Sequence, residues 1–271
     1  MPEGHVVHRQ AKEITKLFGQ QVLHVDSPQG RFSESAALVT GATLTKATAQ
    51  GKHLFIGFDN DLHIHVHLGL YGKWAFHSQT PDPVGLIRLR LITDSTTSNS
   101  TTAELRGPNA CAIVTNSEKK TLMAKIGPDP IAGNSPKKSR EKVLGSSTAI
   151  GTLLMDQRLF AGVGNIYRAE VLFRHQVNPF LPGRELDPSY FDAMWEDLRV
   201  LMKRGVRTGR IDTVRPEHEP RSMKRAARED RHGGEVYVYR RDGRECYVCG
   251  SEIQIAQLQG RNLFWCPKCQ R

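Results

Sequence analysis

The stretch CYVCGSEIQIAQLQGRNLFWCPKCQR, residues 246–271, contains four cysteines in the spacing C-x2-C-x16-C-x2-C. These are Cys246, Cys249, Cys266 and Cys269. Each C-x2-C turn directs two thiolates at one point, and two such turns supply the tetrahedral ligands of a structural zinc ion. Because four thiolates leave no open coordination position, the pattern predicts a structural Zn²⁺ and not a catalytic one, with iron as the alternative.

The residues between the two cysteine pairs, IQIAQLQGRNLFW (253–265), predict a β-hairpin. Arg261 follows Gly260 and falls at or near the hairpin tip. Two interpretations of Arg261 remain open, a solvated tip residue and a contact to a phosphate group.

Upstream of the cysteines lies FAGVGNIYRAEVLF, residues 160–173, where a short glycine-containing segment precedes an apolar helical pattern. Gly162 and Gly164 permit backbone angles that other residues avoid, and Asn165 is predicted to cap the following helix. Backbone N–H groups before a helix amino terminus make a pocket for phosphate. The alternative is a turn that only joins two helices.

The composition narrows the class of partner. The chain has 271 residues with 38 Lys and Arg against 28 Asp and Glu, a net charge of +10. Such a balance favours a polyanion, most commonly nucleic acid, although many globular proteins are merely basic. No apolar run approaches a membrane span and no signal peptide is evident, so we expect a cytoplasmic protein without disulfides, in which Cys111 is a small buried residue.

The pattern along the chain predicts an α+β multidomain protein. Residues 1–126 read as an amino-terminal β-sandwich with a helix over residues 3–18, and residues 94–102 as a loose hairpin tip. The Pro- and Gly-rich residues 127–134 read as a hinge. Residues 135–234 predict helices beginning at Ser135 and Pro136, at 147–160, at 166–176 and at 188–205, followed by a mobile basic loop over 206–234. Residues 235–271 read as two short hairpins carrying the cysteines.

Four motifs occur in order along the whole chain: PEG (2–4), GKHLF (51–55), GVGNIYRAEVLF (162–173) and the cysteine pattern ending in FWCPKCQR. Together they resemble the formamidopyrimidine-DNA glycosylase and endonuclease VIII family, and the PEGH start is closest to actinobacterial endonuclease VIII-type proteins. The resemblance implies a β-sandwich with flanking helices, a helix–two-turn–helix domain and a β-hairpin zinc finger, with damaged double-stranded DNA bound between the two halves.

Pro2 and Glu3 are the expected catalytic residues at the amino terminus. Removal of Met1 would leave Pro2 with a free secondary amine, whose intrinsic pKa of about 7.7–8 is lower than that of lysine. Such an amine can attack C1′ of the damaged nucleotide and form a cationic iminium. Glu3 would move protons and open the sugar ring, and Lys52 is a general acid by resemblance. Without the later motifs, Pro2 and Glu3 would be an ordinary helix start and Lys52 a surface lysine.

The resemblance also implies a set of DNA-binding residues. Asn165 and Arg261, together with Gly164, would hold the phosphates that flank the lesion, and Glu170 matches a family carboxylate near the nucleophile. A base moved out of the duplex leaves a void, which Leu70 and Tyr71 are expected to fill. The alternative for Leu70 is an ordinary core residue at a strand end.

His63, His65 and His67 alternate along one predicted strand, which puts them on a single face. They could bind a metal ion, pack against neighbours or meet a phosphate.

The sequence departs from the formamidopyrimidine-type pattern in three places. Val6 stands where those members carry glutamate. Asn109 and Cys111, with Arg106 nearby, replace an arginine and a phenylalanine, and residues 206–234 do not match their lesion-binding loop. These departures favour oxidised pyrimidines as the substrates. Together with the iminium chemistry of Pro2, we expect a bifunctional glycosylase and apurinic/apyrimidinic lyase that acts on them by β,δ-elimination.

Two alternatives remain, an 8-oxoguanine or formamidopyrimidine glycosylase and a non-catalytic damage-binding protein of the same fold. The protein is expected to be a monomer associated with the nucleoid.

Overall fold

The computed structural model describes residues 2–93, 100–230 and 234–271. The chain divides into two compact units, Met1–Lys125 and Ile126–Arg271. Among the described residues, no helix combines the length and the apolar character that a bilayer crossing demands.

The first unit contains eight described strands and three helices. The strands are β1 (Gln21–Asp26), β2 (Thr43–Gln50), β3 (His53–Phe58), β4 (Leu62–His67), β5 (Lys73–His77), β6 (Leu89–Thr93), β7 (Thr102–Arg106) and β8 (Ala110–Thr115). The helices are α1 (Gly4–Phe18), α2 (Ser33–Ala37) and α3 (Asn116–Ala124). Of the hairpin tip predicted at 94–102, residues 94–99 lie outside the described residues.

All strand pairs in this unit are antiparallel, in the order β5-β7-β6-β1-β2-β3-β4-β8. β1 belongs to both layers, since Gln21 and Val22 pair with β2 whereas Leu23–Asp26 pair with β6. A strand that changes partner along its length lets one ladder form two packed layers. The predicted β-sandwich is confirmed.

Helix α1 packs on β2 and β3 through one apolar stripe. Val7, Ala11, Ile14 and Phe18 recur at intervals of three and four residues, and all are buried. This spacing puts them on one face of a helix. Because Phe18 has no exposed surface, its replacement by alanine should cost roughly 3–5 kcal/mol of the free energy of unfolding.

Helix α3 was not predicted, because its residues are mostly polar and none is buried. Its start has a local cause in a capping box: the Thr115 hydroxyl accepts from the Glu118 N–H, and the Glu118 carboxylate accepts from the Thr115 N–H. The sequence T-N-S-E contains this signal, which satisfies two of the N–H groups that a helix start leaves unpaired.

The second unit contains four helices and one hairpin among the described residues: α4 (Lys137–Leu144), α5 (Ile150–Leu153), α6 (Asn165–Arg174), α7 (Pro188–Thr208), β9 (Gln254–Leu258) and β10 (Arg261–Trp265). The long helix α7 follows its prediction closely. Asp187 caps it by accepting from the Ser189 N–H at 2.8 Å, and Gly209 ends it with φ 75°. Its apolar face lies in the core of the unit.

Two predicted helix positions were wrong. The helix expected over 147–160 is only the four residues of α5, because side chains form the turns that follow it: Asp156 accepts from the Arg158 N–H, and Gln157 bonds Gly162 and Val163. Helix α4 begins at Lys137 instead of Pro136, which occupies the N-cap position.

The basic segment 206–234 also differs from its prediction. Residues up to Thr208 belong to α7, and Ile211 and Val214 are buried in the core of the unit. Further along, Arg225 pairs with Glu235 at 2.7 Å. The mobility expected for residues 206–234 stays a prediction.

The cysteine region forms one hairpin, β9–β10, and not two. Its first cysteine pair lies in turns joined by a single bridge between Glu245 and Glu252.

Candidate functional site

The amino terminus lies at the start of α1. Glu3 is the N-cap residue, with extended backbone at φ −106° and ψ 174°, so the helix begins one residue later than predicted. The Glu3 side chain is 1% exposed, whereas Pro2 is half-buried. A buried carboxyl beside a partly accessible Pro2 is the arrangement that proton transfer at the Pro2 nitrogen would need.

Lys52 is in the two-residue turn of the β2–β3 hairpin, where Gln50 pairs with His53. Gly51 takes φ 57°, a left-handed conformation that favours glycine. The turn brings Lys52 to a small cavity of about 30 Å³, whose other lining residues are Pro2, Val7, His67, Leu68 and Gly69. Two of the three expected catalytic residues, Pro2 and Lys52, therefore share one cavity.

Two of the β4 histidines, His65 and His67, contact His53 of β3, and His63 contacts Asn116. His65 Nε2 lies 2.9 Å from His53 Nδ1 with the two rings stacked, and the His67 ring centroid is 4.9 Å from that of His53. His63 instead bonds the Asn116 side chain at 2.7 Å. Within the described part of the chain, the cysteine group alone brings three or more potential metal ligands together. The metal interpretation of these histidines has no support.

The turn between β4 and β5 carries the two residues expected to fill a void in DNA. Leu70 is 58% exposed and Tyr71 is 84% exposed, so the alternative that Leu70 is a core residue is wrong. Gly69 has φ 66°, and a Cβ there would lie 2.7 Å from the Asn109 Cβ. The turn therefore lies directly against the β7–β8 loop.

The β7–β8 loop is the region that departs from the formamidopyrimidine-type pattern. The Arg106 guanidinium is held by the Glu104 carboxylate at 2.6 Å and by the Val84 carbonyl. Burial raises the pKa of the Cys111 thiol to about 12, which makes it an unreactive side chain. The prediction of a small buried residue is met in part, because Cys111 is half-buried and packs against the core of the sandwich.

In the second unit, the glycine-containing loop and the cysteine hairpin meet through Asn165. Its Nδ2 donates to the Asn262 carbonyl of β10 at 2.9 Å, and Asn262 adjoins the exposed Arg261. Asn165 is the first residue of α6 and Gly164 the N-cap, so the predicted capping role of Asn165 was wrong. Gly164 is buried, and its contact to a phosphate stays a prediction.

Arg168 was missed in the sequence, where it reads as a polar interruption of an apolar helix. It is 1% exposed, and its guanidinium donates to the Asn165 Oδ1 and, at 3.0 Å, to the Asn262 carbonyl. One buried guanidinium thus ties the start of α6 to β10 and orients the Asn165 side chain. An arginine three residues after Asn165 was the only signal available in the sequence.

Glu170 requires a correction. It is completely buried, and its two oxygens accept from the backbone N–H groups of Tyr237, Val238 and Tyr239 at 2.7–2.9 Å and from the Thr213 hydroxyl at 2.6 Å. These four donors occupy the carboxylate, which leaves it no exposed atom for a nucleic acid. The expected contact of Glu170 with DNA is contradicted, and its observed role is to hold residues 237–239 against α6.

The four cysteines form a metal-competent group, with all sulfurs within 4.8 Å of one another. Cys246 and Cys269 Sγ are 3.9 Å apart, and Cys249 and Cys266 Sγ are 3.5 Å apart. A tetrahedron with Zn–S bonds of about 2.3 Å has S···S edges of about 3.8 Å. The donor set and its size therefore fit a zinc ion.

Comparisons with known proteins agree along the whole chain. Residues 1–108 match the formamidopyrimidine-DNA glycosylase N-terminal domain, and residues 126–216 match the formamidopyrimidine-DNA glycosylase H2TH domain. Endonuclease 8 1 of Mycobacterium tuberculosis (strain ATCC 25618 / H37Rv) is 43% identical over the full length of both chains. Probable endonuclease 8 2 of Streptomyces coelicolor is 29% identical over all of this chain and 94% of that protein.

Among solved structures, a complex of wild-type Lactococcus lactis Fpg (MutM) with DNA containing N7-benzyl-Fapy-dG superimposes with a TM-score of 0.78. It covers all of both chains at 22% identity. At this identity the likeness shows the fold, with its β-sandwich, helical domain and terminal hairpin.

Proposed function

Because the chain belongs to the formamidopyrimidine-DNA glycosylase and endonuclease 8 family of base excision repair, we propose that it is a bifunctional DNA glycosylase and apurinic/apyrimidinic lyase with Pro2 as its nucleophile. The observation that carries this proposal is the shared cavity of Pro2 and Lys52, with the buried Glu3 as the next residue along the chain.

The chemistry follows from the nature of the amine. The Pro2 nitrogen bonds to C1′ of the damaged nucleotide, the bond from C1′ to the base breaks, and the base leaves with the electron pair and takes a proton from an acid. Lys52 is that acid. The Pro2 nitrogen gives up its N–H proton and Glu3 protonates the ring oxygen, so the sugar opens and a Pro2 iminium remains. The cation acidifies the C2′ proton, whose removal expels the 3′ phosphate, and a second elimination expels the 5′ phosphate.

The second unit binds DNA through the start of α6 and through the zinc finger. Asn165 and Arg261 contact the phosphates beside the lesion, since Asn165 bonds β10 next to the exposed Arg261. One Zn²⁺ held by the four cysteines would be structural, because it would join the turns on either side of the β9–β10 hairpin. The protein acts as a monomer at the nucleoid.

The substrates we propose are oxidised pyrimidines, such as thymine glycol and 5-hydroxyuracil, and abasic sites. Two features support them: the departures of Val6, Asn109 and Cys111 from the formamidopyrimidine-type pattern, and the 43% identity to a protein named endonuclease 8. A panel of three duplexes tests this choice. One carries thymine glycol, one carries 5-hydroxyuracil, and one carries 8-oxoguanine opposite cytosine. Strong cutting of 8-oxoguanine with little cutting of thymine glycol would reject it.

Borohydride trapping on abasic DNA tests the nucleophile. The reductant converts the iminium to a stable amine, so a covalent complex with DNA should form, and digestion should locate the DNA on Pro2. Mass spectrometry of the purified protein should show that Met1 is absent. A protein that nicks abasic DNA while retaining Met1 would contradict the mechanism, and one that binds damaged DNA without trapping or nicking would be a non-catalytic binder.

A further inference from the structure

Three histidines lie together beside the cavity that holds Pro2 and Lys52. His53 and His67 are paired on β3 and β4, and His65 bonds His53 at 2.9 Å. His67 is part of the wall of the cavity itself, together with Pro2 and with Lys52 of the β2–β3 turn. Of the three rings, His67 is thus the one placed at the reacting centre.

The surroundings hold this cluster in the neutral form. Burial lowers the pKa of His67 and the positive charge of Lys52 lowers it further, while burial and the charge of His67 lower the pKa of His65. The same effects lower the pKa of His53 to about 4. The titratable groups around His67 are therefore Lys52 and His53 from the β2–β3 hairpin and His65 on its own strand, and Pro2 lines the same cavity.

A neutral imidazole has one nitrogen that can accept a proton. The Nδ1 atom of His67 is buried and makes no hydrogen bond to the described residues. The cavity of about 30 Å³ has room for a water molecule, for which roughly 10–15 Å³ is sufficient. Because Pro2 and His67 both line this cavity, a water molecule in it can carry a proton from one residue to the other.

The Pro2 mechanism requires such an acceptor. The secondary amine carries one hydrogen on nitrogen, and the nitrogen becomes positively charged when its lone pair bonds C1′. That hydrogen must leave as a proton before the double bond of the iminium forms. At an abasic site no base departs, so Lys52 keeps its proton and, as a cation, cannot take another.

We propose that His67 is a further catalytic residue. It is the general base that accepts the proton lost by the Pro2 nitrogen when the bond to C1′ forms. His53 and His65 are positioning residues, which hold the His67 ring beside the cavity. This inference rests on the proposed function, because it needs Pro2 as the nucleophile.

The test is a pH profile of single-turnover cleavage of abasic DNA at saturating enzyme. Two groups must be neutral, Pro2 and His67, and His67 has the lower pKa. The logarithm of the wild-type rate should therefore fall with slope 1 below the Pro2 pKa and with slope 2 below the His67 pKa. In His67→Ala the rate at neutral pH should drop about 10²-fold, the second break should vanish, and added imidazole should restore at least tenfold. The affinity for DNA should stay within about threefold.

His24→Ala is the matched control, because His24 is an exposed histidine of the same sandwich whose partners are Thr40 and Asp26. It should leave rate and profile unchanged. A His67→Ala protein that binds DNA weakly but turns over at the wild-type rate when saturated makes His67 a phosphate contact and overturns the inference. So does a variant whose profile keeps the second break.

If His67→Ala does not fold, the wild-type protein still decides the question. The His67 pKa measured by ¹⁵N NMR must coincide with the second kinetic break, and a mismatch overturns the inference. Failure of the proposed function gives a different result, since the wild-type protein would then form no borohydride-trapped complex. A normal trap with an unaffected His67→Ala rate rejects the role of His67 alone.

Discussion

Replacing Glu170 by glutamine should destabilise the second unit strongly without removing any exposed group. The carboxylate is fully buried and accepts four hydrogen bonds, two on each oxygen. An amide keeps one oxygen, which can still serve Val238 and Tyr239, but it turns an NH2 group toward the Tyr237 N–H and the Thr213 hydroxyl. The hydroxyl can rotate and accept, whereas the Tyr237 N–H loses its partner.

The magnitude follows from these four contacts. An unsatisfied buried N–H costs about 1–3 kcal/mol, and each of the two surviving bonds weakens by about 1 kcal/mol when its acceptor loses its charge. The free energy of unfolding should therefore fall by roughly 4 kcal/mol. For a unit of about 150 residues this corresponds to a Tm lower by roughly 8–16 °C.

The assay is thermal unfolding followed by circular dichroism, with DNA affinity measured at a temperature where the variant is folded. The control is Glu185→Gln, which changes a half-exposed acid of the same unit and should shift stability by less than about 0.5 kcal/mol. An E170Q protein with the wild-type Tm but weakened DNA binding would refute the structural role and restore Glu170 as a contact to DNA.

Three further outcomes are expected. Leu70→Ala and Tyr71→Ala should change stability by less than about 0.5 kcal/mol but slow excision of a paired lesion, and a large loss of Tm would show that these side chains are buried. Burial raises the pKa of Asp197, but hydrogen bonds from His175 and Arg174 outweigh this effect and lower the pKa to about 2. The lowered pKa stabilises the folded protein by roughly 2 kcal/mol above pH 4, and this stabilisation is lost as the pH falls toward 2. Asp197→Asn should remove that acid-dependent loss in pH-dependent unfolding, and an unchanged slope would contradict the pairing. Cys266→Ser should release zinc, measured by elemental analysis, and weaken DNA binding, whereas Cys111→Ser should do neither; full affinity without zinc would reject the role of the finger.

The features that could be read from the sequence are those carried by local patterns. The cysteine spacing indicates a metal site because two thiolates separated by two residues meet in one turn, and the four sulfurs do lie together. Helices α1 and α7 could be predicted for the same reason, since helix periodicity involves residues three or four apart. The helix over 147–160 was misread because the turns that end it depend on the Asp156 and Gln157 side chains.

Contacts between distant residues could not be predicted from such patterns. Glu170 resembled a functional acid in the sequence, and only packing against residues 237–239 reveals it as a buried acceptor. Likewise, nothing in the order of residues joins Pro2 to Lys52 and His67. The hairpin and strand register of the sandwich bring them to one cavity.

The sequence by itself determined the family and the cluster of four cysteines, because both depend on residue types at defined spacing. The tertiary structure alone decided which polar side chains are buried as supports and which line the cavity at Pro2. Burial and proximity depend on contacts between segments far apart in the chain, and these set the hydrogen bonding and the protonation of each group.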